Sequence, residues 1–329
     1  AAVLALWGLG TAPGCGPGVR EVWAAPAEEK EAPQKEAAED ENQEVIVIST
    51  AEEFVSFQRN CVSESYSKGK VFVLESDLNL QAVRFHPVPV FAGTFDGRGH
   101  SIIGLSVTDA GSNLGLFRFV QEGGTVKNLR VYGNLAPEGS RANIGGIAGT
   151  NRGRVENCSF NGTAMAQDGL GGIAGRNEET GVIAGCESYA ELTGNLKTGG
   201  IAGYNEGRIE GCTNRGNINA TGQEVAGGAS SQPSAGTVGF EESVRVERVN
   251  DAGGIAGLSL GYIKNSANYG SVGYPHMGYN VGGIAGRQSG LIDQCANYGA
   301  VWGRKDTGGI VGQFEPYVSI DYEEDMFGS

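Results

Sequence analysis

Six cysteines, three histidines and eleven tyrosines are the side chains of this 329-residue chain that could do more than pack or carry charge. Four of the cysteines recur behind an aliphatic residue three positions earlier: Val155 and Cys158, Ile183 and Cys186, Ile209 and Cys212, Ile292 and Cys295. Ser266 stands in the same relation to Ile263. Regular thiols raise two chemistries, disulfide formation and soft-metal binding. On adjacent parallel strands their Cα atoms would lie about 4.8 Å apart, inside the disulfide range. In-register side chains point the same way, however, which opposes an S–S dihedral near 90°. No histidine accompanies them, and Ser266 and Phe240 take the same place in other copies. Buried, reduced, inert thiols are expected, with Cys158, Cys186, Cys212, Ser266 and Cys295 as one structural core ladder. No metal and no cofactor are expected.

Acid–base and hydrolytic chemistry find little support. A zinc peptidase of the His-Glu-x-x-His kind needs two histidines on one helix face with a glutamate between. His86, His100 and His276 do not have that spacing. Glycoside hydrolysis needs two carboxylates, about 6.5–9.5 Å apart in inverting enzymes. Asp96 and His100 flank Gly97-Arg98-Gly99, which reads as a tight turn with Asp and Gly supplying positive φ. Asp293 adjoins the inward Ile292 and so faces out, in line with Glu156, Ala184, Glu210 and Lys264. No catalytic residues are assigned, and a non-enzyme is expected.

The aromatic residues offer a binding chemistry. Three residues past the cysteine position stand Tyr189, Tyr269 and Tyr298, with Asn161 and Arg215 in other copies. Tyr269 and Tyr298 both occur in Ala-Asn-Tyr-Gly, and Tyr274, Tyr279 and Trp302 lie close in sequence. Aromatic faces beside asparagine amides can stack on sugar rings, so Tyr269, Tyr298 and Trp302 are the candidate ligand-binding residues. The competing reading is a cross-strand tyrosine ladder that serves only packing.

What positions these residues is a repeat. Gly-Gly-Ile-Ala-Gly begins at Gly145, Gly171, Gly199, Gly253 and Gly282, and returns as Gly308-Gly309-Ile310-Val311-Gly312, with starts separated by 26, 28, 54, 29 and 26 residues. The 54 reads as a double step, divided by a worn copy from Val225 to Phe240. The residue ahead of the cysteine position is Asn157, Gly185, Gly211, Asn265 or Gln294, mostly types that tolerate a left-handed backbone, so a corner is expected there. Six residues past the cysteine position another inward side chain recurs: Ala164, Leu192, Ile218, Val272, Val301. Short strands joined by corners cannot bury their apolar face alone, but stacked coils can. The fold class expected is all-β: a single parallel β-helix of about seven repeat coils plus entry coils, on the order of 40 Å long at one rung per ~4.8 Å.

Along the chain, residues 1–24 read as a signal-peptide remnant, with Val22-Trp23-Ala24 resembling a signal-peptidase site. Residues 25–44 read as an acidic, disordered linker. Residues 45–110 form an N-terminal cap and entry coils; Thr50-Ala51-Glu52-Glu53 is a capping box opening a helix to about Tyr66 that covers the first coil. Residues 111–312 are the repeat solenoid and 313–329 an acidic exit segment. The linker from Glu28 to Glu44 carries a net charge of −6 and the tail from Glu315 carries −5, so −11 of the total −14 lies outside the solenoid. Nucleic acid is therefore not an expected partner. The initial apolar run is too short to span a membrane.

The stretch Phe91-Ala92-Gly93-Thr94-Phe95-Asp96-Gly97-Arg98-Gly99-His100, with Asn113-Leu114-Gly115-Leu116-Phe117 and Thr125-Val126-Lys127-Asn128-Leu129, resembles the entry module that precedes GLUG-motif repeats. The Gly-Gly-Ile-Ala-Gly units with their Ile-x-x-Cys partners resemble the repeats themselves, so the resemblance spans about Val45 to Gly312. It implies an exported bacterial cell-surface protein with a β-helical body, of the kind found in adhesin-like proteins and in the stalks of IgA-cleaving metallopeptidases. The function expected is a non-enzymatic, monomeric binding rod or stalk, engaging a glycan or protein of a host or bacterial surface. The alternative is the repeat region of a larger surface enzyme, a metallopeptidase or a polysaccharide-degrading β-helix.

Overall fold

The computed structural model describes residues 43–139, 141–221 and 250–315. The expected signal-peptide remnant, nearly all of the acidic linker, the worn copy and the tail from residue 316 lie outside the described residues.

The described chain is a parallel β-helix. Its first sheet has nine strands in simple sequential order, from Val45–Ile48, Val71–Leu74, Thr94–Asp96 and Thr125–Lys127 through the repeats to Leu291–Asp293. One residue of each strand joins a single inward column: Ile46, Phe72, Phe95, Val126, Val155, Ile183, Ile209, Ile263 and Ile292. From Phe72 to Ile263 every member of that column is 0% exposed. In these three-residue strands the middle side chain faces inward and its two neighbours outward, so one β-branched or aromatic residue per coil fills the column.

The stack makes about nine turns in all, entry coils included, where about seven repeat coils plus entry coils were expected. Two things alter the count. The coils ahead of Gly145 are full members of the stack, beginning with Val45–Ile48. The segment read as a worn copy is not interposed, because Arg208–Glu210 pairs directly with Tyr262–Lys264 and Ala202–Asn205 with Ala256–Ser259.

Two columns of left-handed residues turn each coil. Asn128, Asn157, Gly185, Gly211, Asn265 and Gln294 have φ between 48° and 61° ahead of the cysteine position. A second column lies two residues ahead of each Gly-Gly: Asn143, Gly169, Lys197, Asp251, Asn280 and Asp306, with φ from 49° to 68°. Between these corners the Gly-Gly pair lets neighbouring coils touch through backbone. A Cβ on Gly200 would lie 2.2 Å from the Gly254 carbonyl oxygen.

Helix α1 (Ala51–Asn60) starts at the capping box, Thr50 Oγ1 accepting from the Glu53 amide at 3.2 Å and Glu53 Oε2 from the Thr50 amide at 3.2 Å. It stops earlier than expected: Cys61 leaves the helical region at ψ 44°, and a separate short helix, Glu64–Ser67, follows. Phe54 and Phe57 point from α1 into the first coils, where Phe57 meets Phe72 at 4.7 Å and Phe54 meets Phe95 at 5.9 Å between ring centroids. The core thus begins as an aromatic cluster and continues in smaller residues, as the column Phe117, Ala148, Ala174, Ala202, Ala256, Ala285 illustrates.

Candidate functional site

The cysteine position lies inside the solenoid. Cys158, Cys186, Cys212 and Ser266 are at most 1% exposed, while Cys295, in the last coil, is half-buried. Every described cysteine is a free thiol. Each ladder thiol donates to backbone carbonyl oxygen, Cys186 Sγ to Val155 at 3.4 Å and Cys212 Sγ to Ile183 at 3.6 Å. Burial pushes the Cys186 and Cys212 thiols well above the ordinary cysteine range, which removes the thiolate needed for nucleophilic or metal chemistry.

Asparagine departs from expectation. Asn268 of the first Ala-Asn-Tyr-Gly unit and its counterpart Asn214 on the preceding coil are 0% exposed and Asn297 of the second unit is half-buried, so these amides face the core and do not flank the tyrosines outside. Alternation forces this, since adjacent strand residues point to opposite faces and the tyrosine takes the outer one. Asn214 Nδ2 donates to Asn268 Oδ1, and Asn268 Nδ2 to Asn297 Oδ1, each at 2.8 Å. Each amide also caps its own turn, at Gly216 O and Gly270 O, again at 2.8 Å.

The outward face opposite these asparagines carries the candidate site. Tyr132 pairs in register with Asn161, and the row continues one residue per coil through Tyr189, Arg215, Tyr269 and Tyr298. Tyr269 and Tyr298 stack with centroids 4.9 Å apart and planes 17° from parallel. The Arg215 guanidinium lies 4.7 Å over the other face of Tyr269. Tyr189 donates its hydroxyl to Glu187, which raises its phenol pKa above the ordinary value. Both faces of Tyr269 are therefore covered. Contact with a partner falls to the ring edges and hydroxyls and to the outer face of Tyr298, which is 68% exposed.

Trp302 is exposed but stands apart from this row. It follows the inward Val301, its amide donating to Val272 O at 2.8 Å, and among the described residues it makes no ring contact with either tyrosine. Tyr132 belongs to the row and was missed; its signal was its place three residues after Leu129, which fills the cysteine position of its coil.

The acid–base candidates form ordinary surface contacts. Asp96 Oδ1 accepts from the Arg98 amide at 2.8 Å and from Asn128 Nδ2 at 3.0 Å. The positive φ of that turn falls on Arg98 and Gly99. Asp293 lies 3.7 Å from Lys264 on the neighbouring coil. Among the described residues, no group of three or more His, Cys, Asp or Glu is placed to hold a metal.

Fold and outward rows together define a class: a parallel β-helical repeat protein. Two of its coils carry the GLUG motif, over residues 140–164 and 194–219. Halomucin from Haloquadratum walsbyi (strain DSM 16790 / HBSQ001) is 36% identical over 98 residues, which are 30% of this chain and 1% of that protein. This chain thus spans a small fraction of that relative. A crystal structure from Bacteroides ovatus, provisionally named an immunoglobulin A1 protease, matches with a TM-score of 0.56 over 82% of each chain. At 22% identity, that likeness is one of fold.

Proposed function

We propose that this chain is a non-enzymatic, exported cell-surface repeat protein whose β-helix acts as an adhesin-like binding rod for a surface glycan or protein of host or bacterial origin. The observation that carries the reading is the outward row from Tyr132 to Tyr298, where four tyrosines and one arginine stand in register on a single face. Exposed aromatic residues gathered in one place mark contact surfaces. Their stacking fixes the rings before a partner arrives, which lowers the ordering cost of binding. The likeness to halomucin supports the surface-protein reading.

The test is binding of the whole chain to an array of host and bacterial glycans and surface proteins, beside a Tyr269→Ala/Tyr298→Ala variant and a separate Trp302→Ala variant of equal melting temperature. Selective binding lost in the double variant supports the rod as a binder. Binding lost only with Trp302 moves the contact off the row. No binding by the parent leaves the solenoid as a spacer.

A second reading, the repeat region of a larger surface enzyme, draws on the fold shared with the Bacteroides ovatus chain. A full-length gene encoding a zinc-binding helix beyond residue 329 would favour it.

A further inference from the structure

A second surface adjoins the first residue of the tyrosine row, two residues along the strand from Tyr132 at Asn134. Between the loop after Leu78–Asn79 and the strand Ser101–Val107 lies an open groove of about 530 Å³, within the range of ligand pockets. A β-bulge makes it: the register with Arg130–Leu135 shifts between Ile103 and Leu105, at Gly104 with φ 77°. Bulges are conserved devices beside functional sites, where they re-aim side chains. The floor is bare backbone at Gly104 and Gly133. A Cβ on Gly104 would strike Gln81 Cγ at 2.5 Å, and one on Gly133 the Leu105 carbonyl oxygen at 2.2 Å. Leu80, Val83 and Phe85 supply an apolar side.

Four polar side chains line the rest: Gln81, Arg84, Ser106 and Asn134. Asn134 Oδ1 is taken by Thr163 Oγ1 at 2.6 Å, so its amide hydrogens remain for a ligand. Among the described residues, no hydrogen bond or ion pair engages the Gln81, Arg84 or Ser106 side chains. Arg84 is an exposed arginine without a carboxylate partner, unlike Arg152, Arg154, Arg176, Arg208 and Arg287, and it shares that state with Arg59 and Arg98. Among the described residues no carboxylate lines the groove, in a chain of net charge −14. One unpaired guanidinium among neutral donors matches one negative charge, and its fork matches a carboxylate. A phosphate monoester, at about −1.5 to −2, would need a second cation that the lining lacks.

We propose that this groove binds an organic monocarboxylate, held by Arg84 through its carboxylate and by Gln81, Ser106 and Asn134 through its neutral body.

The test is titration of the intact chain, followed by amide and side-chain NMR shifts, with D-glucuronate and with N-acetylalanine as the two sources of a carboxylate. Glucose and inorganic phosphate are the controls. Binding by at least one carboxylate is expected in the millimolar range or tighter, about 4 kcal/mol at 1 mM, with shifts at Gln81, Arg84 and Asn134. Arg84→Gln should weaken it roughly ten-fold or more, the loss of a charged hydrogen bond, and Arg84→Lys by less. Because the Arg84 side chain is exposed and has no partner among the described residues, both variants should melt with the parent. Three results would overturn the proposal: neither carboxylate shifts those signals, glucose or phosphate binds as well, or Arg84→Gln binds like the parent.

Discussion

Asn177 donates its side-chain amide to Asn205 Oδ1 across 2.8 Å, and both side chains are shut off from solvent. The same amide reaches Gly181 O at 3.1 Å, and Asn177 Oδ1 accepts from Asn151 Nδ2 at 2.8 Å. The coil bends here and turns backbone carbonyls inward, and the stacked amides satisfy them. Buried polar groups left unpaired cost about 1–3 kcal/mol each. Asn177→Leu strips partners from Asn151, Asn205 and Gly181 at once and should lower stability by roughly 3 kcal/mol or more. Asn177→Ser should cost less, because Ser259 occupies this column and accepts from Asn205 at 3.1 Å. Urea unfolding with an unchanged m-value reads both, and a Leu variant as stable as the parent would show the amide column to be dispensable.

The buried thiols give the fold an alkaline limit. Burial pushes the Cys61 thiol from 9.0 up to about 12. A folded-state value above the unfolded one means that the native chain keeps a proton the unfolded chain has released. The contribution is therefore complete below pH 9 and is lost as the pH climbs through 9 toward about 12. Within that window, stability of the parent should fall more steeply than that of Cys61→Ala, by about 1.4 kcal/mol per pH unit. Equal slopes in the two proteins would refute this. In the same samples, a thiol reagent should spare Cys158, Cys186 and Cys212 until denaturant is added.

One motif residue should give opposite outcomes at two places in the stack. A Cβ on Gly200 would sit 2.2 Å from Gly254 O and 2.3 Å from Asn214 Cγ, whereas a Cβ on Gly309 meets nothing within 4 Å. Gly200→Ala must push coils apart and should cost about 3 kcal/mol or more, the upper end of overpacking. Gly309→Ala should change stability by no more than about 0.5 kcal/mol. Thermal melts of the pair decide it, and equal losses would remove close coil contact as the reason for the second glycine.

How much of this was legible follows from which features leave a mark on residue type. The inward column of Val155, Ile183, Ile209, Ile263 and Ile292 repeats one kind of side chain, so its spacing reveals both period and face. The corner ahead of the cysteines shows itself through Asn and Gly. The corner ahead of Gly-Gly carries the same kind of mark in Asn143, Gly169, Asp251, Asn280 and Asp306, with Lys197 the exception, and was legible but overlooked. Asn268 beside Tyr269 looked like one polar-aromatic patch, and only alternation separates a core amide from a surface ring. The groove at Gly104 was invisible because a bulge is a property of pairing between strands, not of one strand.

The double step between Gly199 and Gly253 is the plainest failure of period alone, and it is open to direct test. An insertion as long as a coil has the same spacing as a coil. Here the ladder passes straight from Asn205 to Ser259 and from Ile209 to Ile263. A warning was present in Thr237, which stands where the other copies have Val or Ile. Removing residues 222–249 takes away 28 residues and leaves 54 − 28 = 26 between the two Gly-Gly pairs, the spacing found from Gly145 to Gly171 and from Gly282 to Gly308. It also leaves five residues from the inward Ile218 to the left-handed Asp251, as from Leu192 to Lys197 and from Val301 to Asp306. Joining Thr221 to Asn250 should thus give a folded chain whose melting temperature lies within about 4 °C of the parent, a change on the scale of 1 kcal/mol. A true coil could also be excised cleanly, so the intact chain needs a second measurement. Arg208 and Tyr262 are outward, register-paired residues, which places them about 4.8 Å apart, against about 10 Å with a coil between them. Cysteines at these two positions should be bridged by a short bifunctional thiol reagent in the full-length chain. Bridging only after residues 222–249 are removed would restore the missing coil and sink the direct ladder.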